Sequence, residues 1–154
     1  MAKTSDSTGS VIVAGYDGSA TAKAAVDYAA REAGPDGRVF VVHAYGPPRD
    51  WLGYPNYQRV LDDHLEHGRA VIDGLALEDD PLLQTEWDAE LIEGPAAEVI
   101  LNVAHARHAD KIVVGSRGRG RLARTALGSV SHDLLNQSDV PVVVIPHVSE
   151  DAPA

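Results

Sequence analysis

The central segment of the sequence reads Lys111-Ile112-Val113-Val114-Gly115-Ser116-Arg117-Gly118, and nine residues later the chain continues with Gly128-Ser129-Val130. The apolar run is typical of a buried strand, and residues 127–137 have the pattern of a helix. We expect Gly115 and Gly118 to allow positive φ and to let backbone N–H groups approach an anion closely. Gly128 and Ser129 lie at the helix start, where unpaired N–H groups and the helix dipole favour phosphate. The segment therefore predicts a strand, a phosphate-binding loop and a helix.

This segment is the basic part of an acidic chain. Thirteen Lys and Arg against 23 Asp and Glu give the 154 residues a formal charge of −10. Four of the basic residues nevertheless lie close together (Arg117, Arg119, Arg121 and Arg124), and no Asp or Glu occurs from Lys111 to His132. Arginine recognises phosphate and carboxylate groups, so this window favours one small anion. The alternatives are a solvated basic face or a surface that binds a partner.

Composition restricts the class of protein further. The chain is long enough for one domain with a proper core, and its lack of cysteine excludes disulfides and thiol chemistry. The negative charge disfavours binding to nucleic acid or anionic membrane, because such affinity depends on Lys and Arg. The first ten residues do not resemble a secretory signal, and no apolar run is long enough to span a membrane. We expect a cytoplasmic domain over 10–147 with disordered tails at 1–9 and 148–154.

Strand and helix patterns alternate along the chain. The predicted strands cover 11–15, 38–45, 85–92, 111–115 and 140–145, and the predicted helices cover about 20–33, 56–77, 95–108 and 127–137. Ser19 is expected to cap the first helix, Gly34-Pro35 to end it, and Pro95 to be the first residue of the third. Five strands separated by helices predict an α/β fold, in which a parallel sheet is covered on both faces.

Two of the predicted strands end in residues with specific chemistry. Asp17-Gly18-Ser19 follows the first strand, and the glycine turn follows the fourth. Ligands of parallel sheets bind beyond the carboxyl ends of the strands, where the winding reverses direction. We therefore predict the strand order 3-2-1-4-5, which makes these two turns neighbours. For Asp17, ordinary turn and cap chemistry is the alternative to contact with a ligand.

Three other features were weighed as sites. His64-x-x-His67 and His105-x-x-His108 have the spacing of metal ligands on a helix, but neither pair has an evident third ligand, so exposed helix surface is favoured. The segment 46–57 contains Trp51, Tyr54 and Tyr57. It is interpreted as a lid, as a partner surface, or as a loop packed on its own domain.

These motifs together resemble the universal stress protein family. The resemblance rests on Val113-Val114-Gly115-Ser116-Arg117-Gly118, on Gly128-Ser129-Val130-Ser131 after the nine-residue spacer, and on Val140-Pro141-Val142-Val143-Val144-Ile145. It extends to residues 13–19, to His43-Ala44 and to Glu93-Gly94-Pro95-Ala96, and so covers 11–146. The motif Gly-x2-Gly-x9-Gly-Ser is typical of the ATP-binding branch of that family.

The resemblance implies a single Rossmann-like domain of the HUP type in a homodimeric, cytoplasmic protein that binds ATP with Mg²⁺. It places Asp17 near the ribose or a phosphate-bound Mg²⁺, and the backbone of Gly15 and Ala44 near the adenine. It places Val114, Gly115, Ser116, Arg117 and Gly118 around the ribose and phosphates, and Gly128, Ser129 and Val130 at the phosphate end. Ala44 stands where the family often has a larger aliphatic residue, and this departure implies a looser adenine pocket. The loop after the second strand is unusually rich in proline and aromatic residues, and this departure bears on ligand selectivity.

The last predicted strand, Val140 to Ile145, is almost wholly apolar and forms an edge of the predicted sheet. An exposed apolar edge favours association with another strand. We therefore expect a homodimer in which this strand pairs with its symmetry mate, as the family resemblance also implies.

Among functions, a nucleotide-dependent stress-response module is favoured over an enzyme. No Walker lysine follows the glycine loop, and no general base other than Asp17 lies near the motif, so at most slow ATP hydrolysis is expected. A phosphoacceptor receiver domain is rejected, because Glu93-Gly94 and Pro146-His147 stand where its acceptor Asp and its Lys are needed. A protein–protein interaction module without nucleotide is the remaining alternative.

Overall fold

The protein is built on a five-stranded parallel sheet. The computed structural model describes residues 9–47, 53, 55–75, 80–117 and 127–148. Its strands are β1 (Val11–Gly15), β2 (Arg38–Tyr45), β3 (Glu86–Glu93), β4 (Lys111–Gly115) and β5 (Val142–Ile145). Its helices are α1 (Ala20–Ala33), α2 (Asn56–Asp73), α3 (Ala96–Ala106) and α4 (Ser129–Gln137), and a 3₁₀ turn over Pro81–Gln84 precedes β3. The strand order β3-β2-β1-β4-β5 confirms the predicted fold.

Side chains that alternate along the central strands form two core layers. One layer packs Ile12, Ala14, Val39, Val41 and Val113 against α1. The other packs Val13, Phe40, Val42, Ile112 and Val114 against α3 and against Leu134 of α4. Strands that are buried on both faces read as continuous apolar runs, which is why β1, β2 and β4 were recognisable in the sequence.

The start of α1 follows its sequence signals, whereas that of α3 does not. The Ser19 hydroxyl accepts a hydrogen bond from the Ala22 N–H at 3.2 Å, and Gly34, with φ +67°, ends the helix. Pro95 precedes α3 instead of being its first residue. The backbone of Pro95 is extended, with φ −62° and ψ 129°, and its carbonyl accepts the first helical hydrogen bond, from Val99, at 2.9 Å. Pro95 therefore occupies the N-cap position.

Other boundaries also differ from the predicted ones: α3 ends at Ala106 and not near His108, and β3 covers Glu86–Glu93 and not 85–92. Helix α2 ends at Asp73, because the chain turns at Gly74 and buries Leu75 in the core. Helix α4 begins at Ser129, because Gly128 has extended backbone and takes the N-cap position. Strand β5 begins at Val142, since Pro141 has no N–H to add to a ladder, although its carbonyl accepts a hydrogen bond from Ile112.

The two edges of the sheet differ in chemistry. Edge strand β3 carries Glu86, Asp88, Glu90 and Glu93, whereas edge strand β5 is Val-Val-Val-Ile. Arg38 forms ion pairs with Glu86 and Asp88, and Arg107 forms one with Glu90. Both guanidinium groups also lie over the ring of Phe40, at 4.9 and 4.6 Å from its centroid. Charges of this kind protect an edge strand from pairing with another chain, and β5 has none.

Within the described part of the chain, no helix combines the length and the apolar composition needed to cross a membrane. The predicted tails at 1–9 and 148–154 lie outside the described residues, apart from Gly9 and Val148.

Candidate functional site

A cavity of about 310 Å³ opens at the carboxyl ends of β1, β2 and β4. Strands β1 and β4 are neighbours there, and the winding of the sheet reverses between them. This is the position at which open parallel sheets bind ligands. The described residues predicted to contact a nucleotide line this cavity, with the exception of Ser116: they are Gly15, Asp17, Ala44, Val114, Gly115, Arg117, Gly128, Ser129 and Val130.

One wall of the cavity is apolar. Val42 and Ala44 of β2, Ile100 of α3, Val114 of β4 and Val130 of α4 contribute to it. Val42, Ile100 and Val114 are buried, so the wall is continuous with the core layer between the sheet and α3. A wall of this composition suits a flat, weakly polar group such as a nucleobase.

The start of α4 forms the polar end of the cavity. Gly128 is the N-cap of the helix, and Ser129 is its exposed first residue. The first N–H groups of a helix have no partner within the helix, and they lie at the positive end of its dipole. Arg117 lines the cavity as well and adds a full positive charge. This end of the cavity therefore suits an anion.

Ser116 does not line the cavity, but its backbone holds the start of α4, which forms the polar end. Its N–H donates to the carbonyl of Ile145 at 2.7 Å, and its own carbonyl accepts from the Gly128 N–H at 2.7 Å. The buried hydroxyl of Ser131 lies 3.0 Å from the Gly128 carbonyl and 3.3 Å from that of Ser116. The backbone of Ser116 thus joins β5 to the start of α4, although the residue does not line the cavity.

The part of the loop beyond Arg117 lies outside the described residues. It includes Gly118, which was predicted to contact the phosphates, and Arg119, Arg121 and Arg124 of the basic window.

Gly115 is required for close packing and not for positive φ. The described glycines with positive φ are Gly18, Gly34, Gly53 and Gly94, so the prediction for Gly115 is wrong. A Cβ at Gly115 would lie 2.8 Å from the Thr21 Cγ2 atom and 3.3 Å from the Arg117 carbonyl oxygen. Because α1 packs against the end of β4, the space for a side chain at position 115 is already occupied.

Asp17 makes the turn contact that was predicted for it and also lines the cavity. Its Oδ1 atom accepts a hydrogen bond from the Ser19 N–H at 2.9 Å, which is ordinary turn chemistry. The residue also lines the cavity. The turn between β1 and α1 thus places an acidic residue at the cavity.

The cavity also includes residues that were not predicted: Tyr16, Ala22, Val42, His43, Ala96, Ile100 and Ser131. The His43 Nδ1 atom lies 2.8 Å from the Tyr16 carbonyl oxygen. A carbonyl only accepts hydrogen bonds, so Nδ1 carries a proton, and the imidazole links the ends of β1 and β2. The position of His43 at the end of β2, directly before Ala44, was the available signal.

One histidine of each pair makes a contact with another part of the chain. His64 Nδ1 lies 3.0 Å from the Gly46 carbonyl oxygen, and His105 Nε2 lies 2.7 Å from Asp139 Oδ1. Among the residues with described positions, no group of three potential ligands is arranged to hold a metal ion. Of the aromatic residues in 46–57, Tyr57 belongs to α2, and Trp51 and Tyr54 lie outside the described residues.

Comparison with known proteins identifies the family. The model of the universal stress protein family matches residues 10–146. The universal stress protein in the QAH/OAS sulfhydrylase 3′ region of Thermus aquaticus is 39% identical over 136 residues, which are 87% of this chain and 96% of that protein. A universal stress protein of Mycolicibacterium smegmatis is 34% identical over 144 residues, which are 87% of this chain but 47% of that protein. The stress response protein NhaX of Bacillus subtilis is 42% identical over 62 residues, which are 40% of this chain and 37% of that protein.

Solved structures show the same fold. The hypothetical protein MJ0577 superposes with a TM-score of 0.79 at 21% identity, covering 93% of this chain and 99% of that one. A universal stress protein in complex with cAMP superposes with a TM-score of 0.57 at 22% identity, covering 90% and 98%. With the family model matching almost the entire domain, the chain belongs to the universal stress protein family.

Proposed function

We propose that the protein binds ATP in the cavity at the ends of β1, β2 and β4, and that it acts as a nucleotide-dependent module of the stress response in the cytoplasm. One observation carries the proposal: a single cavity joins an apolar wall to an anion-binding helix start. The wall fits the adenine, and the N–H groups of α4 with Arg117 fit the phosphates. The chain as a whole has a formal charge of −10 and should repel anions, so the start of α4 with Arg117 would be a local site of anion binding.

Asp17 is the residue that we assign to a phosphate-bound Mg²⁺. Magnesium prefers oxygen ligands and is often held by one carboxylate together with the phosphates of the nucleotide. Asp17 lines the cavity, and the hydrogen bond from Ser19 fixes its Oδ1 atom. One carboxylate is enough for an ion that arrives with the nucleotide.

The proposal is for a binding module with at most slow ATP hydrolysis. Asp17 and His43, which line the cavity, both use one side-chain atom to hold the backbone at the ends of β1 and β2. Such contacts favour structural roles for these groups over proton transfer, which requires a base within reach of the attacking water.

A homodimer is part of the proposal. The outer side of β5 is apolar and uncharged, and in the described chain only β4 pairs with it. Pairing with a second copy would cover this edge in a closed, symmetric assembly.

Calorimetric titration with ATP, ADP, AMP and cAMP in the presence of Mg²⁺ tests the proposal. The cyclic nucleotide belongs in the series because one structural relative was solved as a cAMP complex. We expect ATP to bind, and we expect Arg117→Met to weaken ATP about tenfold, the effect of losing one hydrogen bond to a charged group. Adenosine affinity should change little, because Arg117 is assigned to the phosphates.

Two controls separate the site from general effects. Arg59→Met removes one positive charge from the exposed side of α2, and Gln137→Ala removes an exposed polar side chain from the far end of α4. Both should bind ATP like the unmodified protein, whereas Ser129→Ala should bind it more weakly. If none of the four nucleotides binds, the nucleotide proposal is refuted and a protein–protein interaction module takes its place.

A further inference from the structure

After β5 the chain turns back against the start of α1, where Thr21 holds it. We term residues 146–148 the C-terminal segment. Thr21 is only 2% exposed, and its hydroxyl accepts a hydrogen bond from the Val148 N–H at 3.0 Å. The same Oγ1 atom lies 3.4 Å from the Val148 carbonyl oxygen and 3.3 Å from His147 Nδ1. A single buried hydroxyl therefore serves as both donor and acceptor for this segment.

The methyl group of Thr21 lies against Gly115, at the end of the cavity that we assign to the phosphates. Its Cγ2 atom occupies the space that a side chain at Gly115 would need, with 2.8 Å between Cγ2 and an ideal Cβ at that position. Gly115 itself lines the cavity. Thr21 thus contacts the C-terminal segment with one branch of its side chain and the start of the glycine loop with the other.

The two contacts are mechanically linked, because Oγ1 and Cγ2 are carried by the same Cβ atom. Rotation about χ1 moves both groups together, and β-branched side chains have few allowed rotamers. The hydrogen bonds to Val148 therefore select the rotamer that places Cγ2 against Gly115. The next residue, Ser116, is tied to the same strand end through its 2.7 Å hydrogen bond to Ile145.

We propose that Thr21 is a positioning residue that couples docking of the C-terminal segment to the shape of the loop at residues 115–117, and thereby to phosphate binding. The coupling to phosphate rests on the proposed function of the cavity. When the segment is docked, the loop at residues 115–117 already has its binding conformation. The entropic cost of ordering the loop on ligand binding is therefore smaller. With the segment released, Thr21 is free to change rotamer and the loop loses this support.

Hydrogen exchange of the unliganded protein tests the coupling directly. Thr21→Val keeps the shape of the side chain but leaves the Val148 N–H without its acceptor. We expect faster exchange in peptides that cover 146–148 and also in those that cover 112–117. A chain that ends at Pro146 should show the same increase over 112–117. Faster exchange at 146–148 alone would overturn the coupling and would leave the proposed function untouched.

Calorimetry with ATP and adenosine tests the consequence for the ligand. Thr21→Val and removal of 147–154 should each weaken ATP about fivefold, the effect of having to order one more side chain on binding. Adenosine should be affected less than twofold, because the contact is at the phosphate end. The doubly changed protein should be no weaker than either single variant, since both act through the same contact.

Each other outcome of the affinity measurement is also decisive. Additive losses would mean that Thr21 acts without the segment, and tighter ATP binding by the shortened chain would mean that the segment obstructs the site; either result overturns the proposal. If the unmodified protein binds no nucleotide, the proposed function fails, and the exchange measurement still decides whether Thr21 couples the segment to the loop.

Discussion

At the level of single residues, Gly115 and Gly74 are glycines in quite different surroundings. A Cβ at Gly115 would meet the Thr21 methyl at 2.8 Å and the Arg117 carbonyl oxygen at 3.3 Å. The Thr21 side chain is held by its hydrogen bond with Val148. A Cβ at Gly74 would make ordinary contacts at 3.6 and 3.8 Å. Gly74 also has helical backbone, with φ −79°, which alanine adopts readily.

We expect Gly115→Ala to lower the free energy of unfolding by about 1–3 kcal/mol, the usual cost of overpacking a buried site. Gly74→Ala is the matched control and should leave stability unchanged or slightly raised. Urea denaturation of the two variants and the unmodified protein measures the difference. Equal stability of Gly115→Ala and the unmodified protein would show that α1 moves away without cost.

Residue-level prediction succeeded where the partners are close in sequence. The cap formed by Ser19 and the turn formed by Asp17 follow from residues two or three positions away. The contacts of Thr21 were missed, because Val148 is 127 positions away. Val148 contributes only backbone groups, which every residue has, so its identity does not indicate the contact. The positive φ expected at Gly115 was wrong, because close packing by another element requires glycine as strictly as a turn does.

At the level of secondary-structure elements, a charge cluster attaches α1 to the turn that leads into β3. Lys23 Nζ of α1 lies 2.5 Å from Asp27 Oδ1 and 2.5 Å from Asp80 Oδ2. Asp80 is buried, and its other oxygen accepts the Leu82 N–H at 3.0 Å, so it also caps the 3₁₀ turn. Burial lowers the pKa of Lys23, but the hydrogen bonds and the negative charges of Asp27 and Asp80 together raise it by more, so that it lies above the ordinary 10.5.

Asp80→Asn should lower the free energy of unfolding by about 1–2 kcal/mol, because the amide retains the cap but loses the charged partner of Lys23. A raised pKa in the folded state stabilises the protein fully below the unfolded value of 10.5, and this contribution is lost as the pH rises through the folded pKa. Urea denaturation at neutral pH and above pH 10.5 should therefore show the difference between the two proteins shrinking. A difference that is constant across this range would contradict the assignment to Lys23.

The sequence predicted which segments form helices and which form strands, but it predicted the first and last residues of these segments less accurately. The apolar runs of β1, β2 and β4 are long enough to identify buried strands, and the alternation in β3 identifies an edge. The ends of α2 and β5 depend on where the chain turns into the core and on the missing N–H of Pro141, which periodicity does not report. The cavity was located from the strand ends, but Ile100 was not expected in it, because a core residue of α3 has no distinguishing pattern.

At the level of the whole molecule, the unequal edges of the sheet favour a dimer through β5. Carbonyl oxygens of Pro141 and Ile145 accept hydrogen bonds from β4 and its loop. Because successive residues of a strand direct their backbone groups to opposite sides, Val142 and Val144 present theirs to the outside. The outer edge therefore offers unprotected donors and acceptors flanked by apolar side chains.

Val144→Pro removes one outward N–H without removing a donor from the β4–β5 ladder, and it should convert the dimer into a monomer. Val144→Ala keeps that N–H and should remain dimeric. Sedimentation velocity of the three proteins distinguishes the two states. A Val144→Pro protein that sediments as a dimer would place the interface elsewhere, and an unmodified protein that sediments as a monomer would refute the dimer.

The strand order was predictable because only two loops carried unusual chemistry, and one arrangement places them side by side. What the sequence could not indicate is the return of the chain from β5 to α1, because the residue that holds it is a buried threonine with no distinguishing pattern around it.

The walls of the cavity come from both halves of the chain. Gly15, Asp17 and Ala44 precede residue 50, whereas Ile100, Gly115 and Ser129 lie beyond residue 99, and the pairing of β1 with β4 joins the two sets within the sheet. We therefore expect a proteolytic fragment that lacks either strand to lose the site. If the cavity holds a nucleotide as proposed, the bound ligand would report that both halves of the chain are present and folded together.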